Sequence, residues 1–201
     1  MAENGTTTRR SDGSEIVLRA LAAADLPAVC ALHFATFRIQ SSRRFLERAY
    51  YPTFVAPGST GLGTFVSDAE GIVGYCVGTL DDGAFHRALL RCHPFECARA
   101  WIGKAVGRRR DRGGRLALHE SRLHYVAVAP RARGAGLGRR LWADFLRRVS
   151  EAGHDRCATR IYADNPVSRR LAESLGGRLE REGTDALGRF GLYRFALDRT
   201  R

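Results

Sequence analysis

The fold is decided by the segment VAVAPRARGAGLGRRLW, residues 126–142. Its first part alternates valine with alanine and stops at Pro130, a pattern typical of a β-strand that ends at a turn. Its last part begins a helix over about 137–152, because large apolar residues recur there along one face at helical spacing. The segment therefore predicts a strand, a glycine-rich turn and a helix, in that order.

Three glycines alternate in this turn, in the run Arg133-Gly134-Ala135-Gly136-Leu137-Gly138. Glycine lets backbone N–H groups approach a ligand oxygen without a Cβ atom in the way, and the start of a helix adds partial positive charge. These properties predict a cradle for a diphosphate group. The dinucleotide fingerprint Gly-x-Gly-x-x-Gly and the nucleoside-triphosphate loop ending in Gly-Lys-Ser/Thr both fail on spacing.

Length and composition fit one domain. The chain has 201 residues, of which 44% are hydrophobic, enough to bury an ordinary core. Residues 1–14 are polar and aperiodic, so we predict a disordered leader before a domain over 15–201. No apolar run approaches the roughly 20 residues that span a bilayer, so we expect a cytoplasmic protein with no membrane partner.

Cysteine spacing and charge exclude other classes of protein. The five cysteines are an odd number scattered through apparent core elements, which favours reduced, buried thiols and matches no compact zinc signature, so we predict no metal. The formal charge of +12 comes almost wholly from arginine, since Lys104 is the only lysine. Basic surfaces attract polyanions in general, so a ligand with several phosphates is compatible with this charge. The charge alone is weak evidence for a particular partner, and we consider nucleic acid an unlikely one.

The rest of the pattern predicts a β-α-α-β-β-β-α-β-α-β-β order with a helical insertion after the third strand. We expect the insertion over 81–114, with a mobile, solvated end at the basic run 108–112. The second helix should end before Pro52, because the residue before a proline is pushed out of helical geometry. Predicted strands are 15–20, 63–67, 72–80, 123–129, 156–162, 178–181 and 190–197, and predicted helices 27–38, 42–51, 137–152 and 165–175.

The sequence resembles the GNAT acyltransferase superfamily. Arg133, Gly136 and Gly138 match its signature Arg/Gln-x-x-Gly-x-Gly/Ala, and Asn165-Pro166-Val167-Ser168 resembles the start of its helix after the fifth strand. The similarity covers about 16–197, with the 81–114 insertion unmatched. It implies an α/β (α+β) fold, in which helices flank a mixed, mostly antiparallel central sheet that splays where acyl-pantetheine enters, with the insertion between strands 3 and 4.

The resemblance also implies a co-substrate, acetyl-CoA or another acyl-CoA, and no metal. In the family the loop amides hold the CoA pyrophosphate, and the preceding strand offers backbone groups to the pantetheine arm. The implied cofactor-binding residues are Val126, Ala127, Val128, Arg133, Gly134, Ala135, Gly136, Leu137, Gly138, Arg139, Asn165 and Ser168.

One departure concerns the general acid. Many family members place a tyrosine where this chain has Ala172. A thiolate leaving group has an unperturbed pKa of roughly 8.5, so it needs only modest help, and Ser168, one turn earlier on the same face, is the candidate replacement. Tyr162 and Tyr193 remain alternatives.

The candidate bases lie on or just before the strand that leads into the turn. An ammonium substrate must lose a proton before its nitrogen attacks a thioester. His124 corresponds to a histidine found on this strand in some family members, and imidazole titrates near neutral pH. Glu120 and, further upstream, His119 are alternatives.

The resemblance places the amine acceptor against the first two helices. Phe34, Phe37, Tyr50 and Tyr51 are the candidate contacts, while His33, Phe45 and Phe54 are shared with the core. We predict N-acetylation of a small-molecule amine by direct transfer, with a catalytically silent CoA-binding module or a protein N-terminal or lysine acetyltransferase as alternatives. The insertion is expected to act as a lid or as a contact of a homodimer.

Overall fold

Eight strands form one sheet in the computed structural model, which describes residues 6–9, 15–37, 41–106, 120–185 and 187–198. The strand order is β1-β2-β3-β4-β5-β6-β8-β7, in which β5 and β6 pair in parallel and the other neighbours pair antiparallel. The predicted fold class is thereby confirmed. The strands are β1 (Thr6–Arg9), β2 (Glu15–Ala20), β3 (Gly61–Asp68), β4 (Gly71–Thr79), β5 (Ser121–Val128), β6 (Arg156–Tyr162), β7 (Arg178–Asp185) and β8 (Gly188–Ala196).

Strand β1 lies within the leader that the sequence predicts to be disordered. Its residues Thr6–Arg9 pair with Glu15–Leu18 of β2. Threonine is β-branched and suits a strand, and the edge of β2 offers N–H and C=O groups that need partners. The prediction is therefore wrong for these four residues, and the insertion follows the fourth strand instead of the third.

Helices cover both faces of the sheet. On one face α6 (Leu137–Glu151) and α7 (Pro166–Ser174) bury a core that includes Leu141, Phe145 and Ala172. On the other face α1 (Leu26–Thr36), α2 (Arg43–Phe45), α3 (Tyr51–Val55), α4 (Asp82–Cys92) and α5 (Pro94–Val106) cover a second core rich in aromatic rings. The two cores thus place the glycine-rich turn and the aromatic helices on opposite faces.

Pro52 does not end the second helical segment, contrary to the prediction. A π-helical turn over Leu46–Tyr50 joins α2 to α3, and the N–H of Tyr51 donates to the carbonyl of Leu46, five residues back. A proline ring normally clashes with the carbonyl four residues earlier, and the wider π turn relieves that clash. The segment therefore continues to Val55 and places Tyr50 and Phe54 against the sheet.

The helical insertion is present as α4 and α5. The side chain of Asp81 accepts a hydrogen bond from the N–H of Ala84, which caps α4 at the predicted start. The basic run 108–112 and its predicted mobility lie outside the described residues. Phe95, in the first turn of α5, is 84% exposed, and the insertion's role as lid or dimer contact stays a prediction.

All five cysteines are free. Four are buried as predicted, but Cys92, the last residue of α4, is exposed. The prediction of a buried thiol is wrong there. Cys92 continues the helical spacing of the buried Phe85 and Leu89, but it is the last residue of α4, and the buried part of that face ends at Leu89.

Candidate active site

Two features of β5 open the sheet beside the glycine-rich turn. Its parallel ladder with β6 covers only Ser121–Leu123, paired with Cys157–Thr159, while β5 itself continues to Val128. The two strands therefore diverge beyond Leu123. This opening lies where the resemblance expects the acyl-pantetheine arm.

A β-bulge lies at the start of the opening. Val77 of β4 is opposite Tyr125, and Gly78 is opposite Leu123, so His124 is an extra residue in the ladder. Leu123 and Val126 pack in the core under α6, whereas Tyr125 packs in the aromatic core. Because a bulge interrupts the alternation of a strand, His124 and Tyr125 both face the aromatic side.

The three β5 residues predicted to bind the cofactor lie on alternate faces of the sheet. Val126 and Val128 are half-buried against the core under α6, and Ala127 is buried on the opposite face. Since side chains alternate there, the strand's backbone is the part left to face the opening.

The glycine-rich turn forms a loop with open space in front of it. Gly134 and Gly136 have φ of +85° and +72°, a region that favours glycine, and α6 begins directly after Gly136. A Cβ atom added at either glycine would meet no protein atom within 4 Å. The first N–H groups of α6 and its positive dipole end therefore face a space that can accept an anion.

Side chains fix this loop from both ends. Leu137 is buried in the core, while Gly138 makes only ordinary contacts and Ala135 is exposed. The Nε of Arg133 donates to the carbonyl of Val128 at 3.2 Å, and both terminal nitrogens of Arg139 donate to Ser174, the last residue of α7. Arg139 thus links α6 to α7, a role that the sequence did not predict.

His124 lies in a buried hydrogen-bonded chain. Its side chain is only 7% exposed, its Nε2 lies 2.9 Å from Oδ1 of Asp82, and its Nδ1 lies 2.7 Å from the hydroxyl of Tyr50. Asp82 is also 3.3 Å from Arg122, and the Thr79 hydroxyl lies 3.4 Å from both Asp82 and His124. His124 of β5 is therefore contacted from three other elements: the helical segment at Tyr50, β4 at Thr79 and α4 at Asp82.

The hydrogen bonds between Tyr50, His124 and Asp82 define the tautomer of His124. A carboxylate only accepts hydrogen bonds, so Nε2 carries the proton and Nδ1 accepts from the phenol of Tyr50. Burial lowers the pKa of His124 to about 4 and raises that of Tyr50 well above its usual value. Burial would by itself raise the pKa of Asp82, but the hydrogen bond to His124 and the Arg122 charge hold it below its usual range. At neutral pH, Asp82 is thus a carboxylate, His124 a neutral imidazole and Tyr50 a neutral phenol.

Glu120, the alternative base, is engaged elsewhere. Its carboxylate is 9% exposed and lies 3.0 Å from Nε of Arg194 on β8. Burial raises its pKa, with Arg194 opposing that shift. Glu120 is also separated from the opening by the paired residues Ser121–Leu123, so the geometry favours His124 as the base. His119 lies outside the described residues.

The candidate acids occupy different surroundings. Ser168 is half-buried in the first turn of α7, where its N–H donates to Oδ1 of Asn165, and its hydroxyl bonds to no other described residue. The hydroxyl of Tyr162 donates to Asp185, and burial and this bond raise its pKa to about 12. Tyr193 is fully buried and accepts from Arg169. Ser168 is thus the candidate whose hydroxyl remains available.

The aromatic face divides into core and lining. Tyr51 is fully buried, in a triangle of hydrogen bonds with His33 and Tyr75, so its prediction as an acceptor contact is replaced by a core role. Phe34 and Phe37 are half-buried beside His33 and stay candidates for the acceptor.

Sequence reasoning missed two residues. Tyr125 is half-buried between His33 and Phe37, and its hydroxyl bonds to no other described residue. Regular strand alternation would put it on the face away from His124, and only the bulge brings the two together. Asp82 follows the helix cap in the Asp81-Asp82 pair, which was a signal for a helix start but not for a histidine partner.

The described part of the chain lacks two further features. It contains no group of three or more His, Cys, Asp or Glu side chains that could hold a metal ion. Its helices are too short or too polar to cross a bilayer.

Comparisons with known proteins agree with this geometry. The profile of the acetyltransferase (GNAT) family matches residues 26–177. No match was found among curated protein sequences. The fold is similar to the ribosomal-protein-S18-alanine N-acetyltransferase of Escherichia coli (TM-score 0.58, 16% identity, 92% of this chain and 95% of that chain covered). It is also similar to a putative GNAT acetyltransferase of Desulfovibrio desulfuricans (TM-score 0.61, 15% identity, 91% and 99% covered). A third similar structure is the spermidine/spermine N-acetyltransferase of Vibrio cholerae (TM-score 0.57, 16% identity, 90% and 94% covered). Because the family profile covers more than half of the chain, this protein belongs to the GNAT acetyltransferase family.

Proposed function

We propose that this protein transfers an acyl group, most simply acetyl, from acyl-CoA to a small-molecule amine in the cytoplasm by direct attack of the amine on the thioester. One observation carries the proposal. The open loop at Gly134–Gly136 and the neutral His124 lie at opposite ends of the same diverging stretch of β5. This arrangement suits a donor held by its phosphates at one end and reacting at the other.

For the donor, the residues present fit acyl-CoA. The loop backbone and the N-terminus of α6 would hold the pyrophosphate, and the free edge of β5 would bond the pantetheine amides. CoA supplies an activated thioester. A backbone amide of β5 near His124 would stabilise the oxyanion, and Ser168 would assist the leaving thiolate.

For the acceptor, we propose an apolar or aromatic amine with one positive charge. The half-buried rings of Phe34, Phe37 and Tyr125 provide apolar contacts. Among the described residues, the carboxylates on this side of the sheet include Asp82, Glu47 and Glu96, and each is already paired with an arginine. A polyamine such as spermidine would need several carboxylates, so we expect it to be a poor substrate.

The test is release of CoA thiol from acetyl-CoA with a panel of acceptors: 2-phenylethylamine, a linear alkylamine, spermidine, a lysine derivative and a peptide with N-terminal alanine. We expect acceptor-dependent release, fastest with the aromatic amine, and a product heavier by one acetyl group. Binding of acetyl-CoA without turnover of any amine would contradict the proposal. Fastest turnover of the peptide or of spermidine would overturn the acceptor class.

A further inference from the structure

We propose that Tyr50, and not His124 directly, accepts the proton of the attacking amine and relays it to His124. The inference rests on the acyl transfer proposed above. It starts from the geometry of the buried chain, in which the Tyr50 hydroxyl lies 2.7 Å from Nδ1 of His124, and Nε2 lies 2.9 Å from Asp82. Tyr50 thereby becomes the catalytic residue, and His124 and Asp82 act through it.

Both nitrogens of His124 are already engaged. Nε2 donates to Asp82, so Nδ1 is the basic nitrogen, and the hydroxyl of Tyr50 already donates to it. An imidazole has no third position at which it can accept a proton. A substrate proton can therefore reach Nδ1 only along the hydrogen bond from Tyr50.

The oxygen of Tyr50 still has an unused acceptor position. A phenol oxygen can donate one hydrogen bond and accept others, and among the described residues Tyr50 donates to His124 while no group donates to it. The rings of Tyr51, Phe54 and Phe85 contact the Tyr50 ring nearly edge-on at 5.2–5.8 Å and hold it in position. An amine N–H is the chemical group that this oxygen can receive.

The step balances as follows in atoms and charge. The amine nitrogen bonds to the thioester carbon, its N–H proton moves to the oxygen of Tyr50, and the Tyr50 proton moves to Nδ1 of His124. The carbon–sulfur bond then breaks, and the CoA thiolate takes a proton from water, or from Ser168, which then regains one from solvent. The imidazolium returns its proton through Tyr50 to solvent, and the products are the amide and CoA thiol.

The groups around His124 act on its charge in opposite directions. The carboxylate of Asp82 faces Nε2 and would stabilise the imidazolium, while Arg122 from the same strand opposes it. His86 of α4 lies with its ring centre 6.5 Å away, and Tyr50 and Tyr125 complete the set of titratable neighbours. Burial lowers the pKa of His124 to about 4, so the ring is neutral at neutral pH and a positive charge on it can only be transient.

The first test compares Tyr50→Phe with Tyr75→Phe in the full-length protein. Tyr75→Phe is a matched control, because it removes a buried, hydrogen-bonded hydroxyl that bonds to neither His124 nor Asp82. With acetyl-CoA and the fastest amine of the panel, Tyr50→Phe should lower kcat about 100-fold or more and leave the KM for acetyl-CoA within about threefold. In a pH profile, log kcat of this variant should keep rising with pH, because hydroxide replaces the relay. A kcat within about threefold of wild type for Tyr50→Phe, or an equal loss for Tyr75→Phe, would overturn the relay.

The second test does not depend on any acceptor. In protein labelled with ¹⁵N-histidine, wild type at pH 7 should show His124 as a neutral ring protonated on Nε2, with Nδ1 shifted by an accepted hydrogen bond. Tyr50→Phe should move the Nδ1 signal toward that of a free imidazole nitrogen, and Tyr75→Phe should not. A ring protonated on Nδ1, a charged ring, or an unmoved Nδ1 signal in Tyr50→Phe would reject the relay. If wild type acetylates no amine, the proposed function fails, while these spectra still decide the hydrogen-bonded chain.

Discussion

The glycine-rich loop and the buried aromatic face are built in opposite ways. The loop at Gly134–Gly136 is exposed and offers backbone groups from one continuous stretch of chain. The aromatic face is buried and offers side chains from distant stretches, as in the contact between Tyr50 and His124, 74 residues apart. Both lie along the same diverging strand, β5.

This difference separates two tasks. A backbone cradle depends little on side-chain identity, because every residue type except proline has a backbone N–H group. A cluster of side chains can be exchanged residue by residue, so it is the part that sets the acceptor and moves the proton. We therefore expect substitutions in the loop to act on binding of acyl-CoA, and substitutions in the aromatic face to act on turnover.

The largest expected effect comes from His124→Ala. Loss of the proton acceptor should lower kcat by about 10²–10⁴-fold, the usual contribution of a general base. The measurement is thiol release with saturating acetyl-CoA and the fastest amine. Glu120→Gln is the comparison, and because Glu120 pairs with Arg194 it should reduce stability more than turnover. Unchanged kcat in His124→Ala across the pH range would reject this residue.

The aromatic face should also be the acid-sensitive region. Burial lowers the pKa of both His33 and His124 to about 4, so the folded protein keeps them neutral while the unfolded chain protonates them below about 6.5. Stability from each is complete above that pH and is lost as pH falls toward 4, at a cost of about 3 kcal/mol per residue. Urea unfolding at pH 7 and at pH 4.5 measures this loss.

His33→Phe makes that prediction specific. The variant should lose roughly half as much of its unfolding free energy as wild type between these two pH values, because one of the two shifted histidines is gone. At pH 7 the Tyr51–Tyr75 hydrogen bond of 2.9 Å can persist in its absence. An equal loss of stability in variant and wild type would show that His33 does not stay neutral in the fold.

On the loop, Gly136→Ala should weaken binding of acetyl-CoA while Gly153→Ala should not. Both glycines have positive φ, +72° and +87°, with no protein atom near an added Cβ. The backbone strain of roughly 1–2 kcal/mol is therefore matched, and only the Cβ at Gly136 enters the phosphate space. We expect about tenfold or more weaker binding for Gly136→Ala by calorimetry. Equal affinities of the two variants would place the pyrophosphate elsewhere.

The smallest effect is expected for Ser168→Ala. A thiolate with a pKa of roughly 8.5 leaves without much help, so kcat should fall by less than about tenfold while the Kd of acetyl-CoA stays unchanged. Stopped-flow thiol release resolves such a change. A loss as large as that of His124→Ala would instead make the serine the main proton donor.

The sequence predicted the loop better than the aromatic face for a physical reason. Arg133 to Gly138, β6 and the hairpin of β3 and β4 are local patterns, and the predicted boundaries agree with the structure within a few residues. The bulge at His124 and the π turn before Pro52 depend on tertiary packing and leave no periodic signal. The contact of Asp82 with His124 depends on that bulge, so no sequence pattern pointed to it.

The division of labour between the two regions is tested most directly by calorimetric titration of acetyl-CoA into the His124→Ala protein. We predict a Kd within about threefold of wild type, although the same protein has lost its turnover. A Kd weakened as much as kcat would contradict the account, because the buried chain at His124 would then belong to the binding of acyl-CoA and not to the reaction.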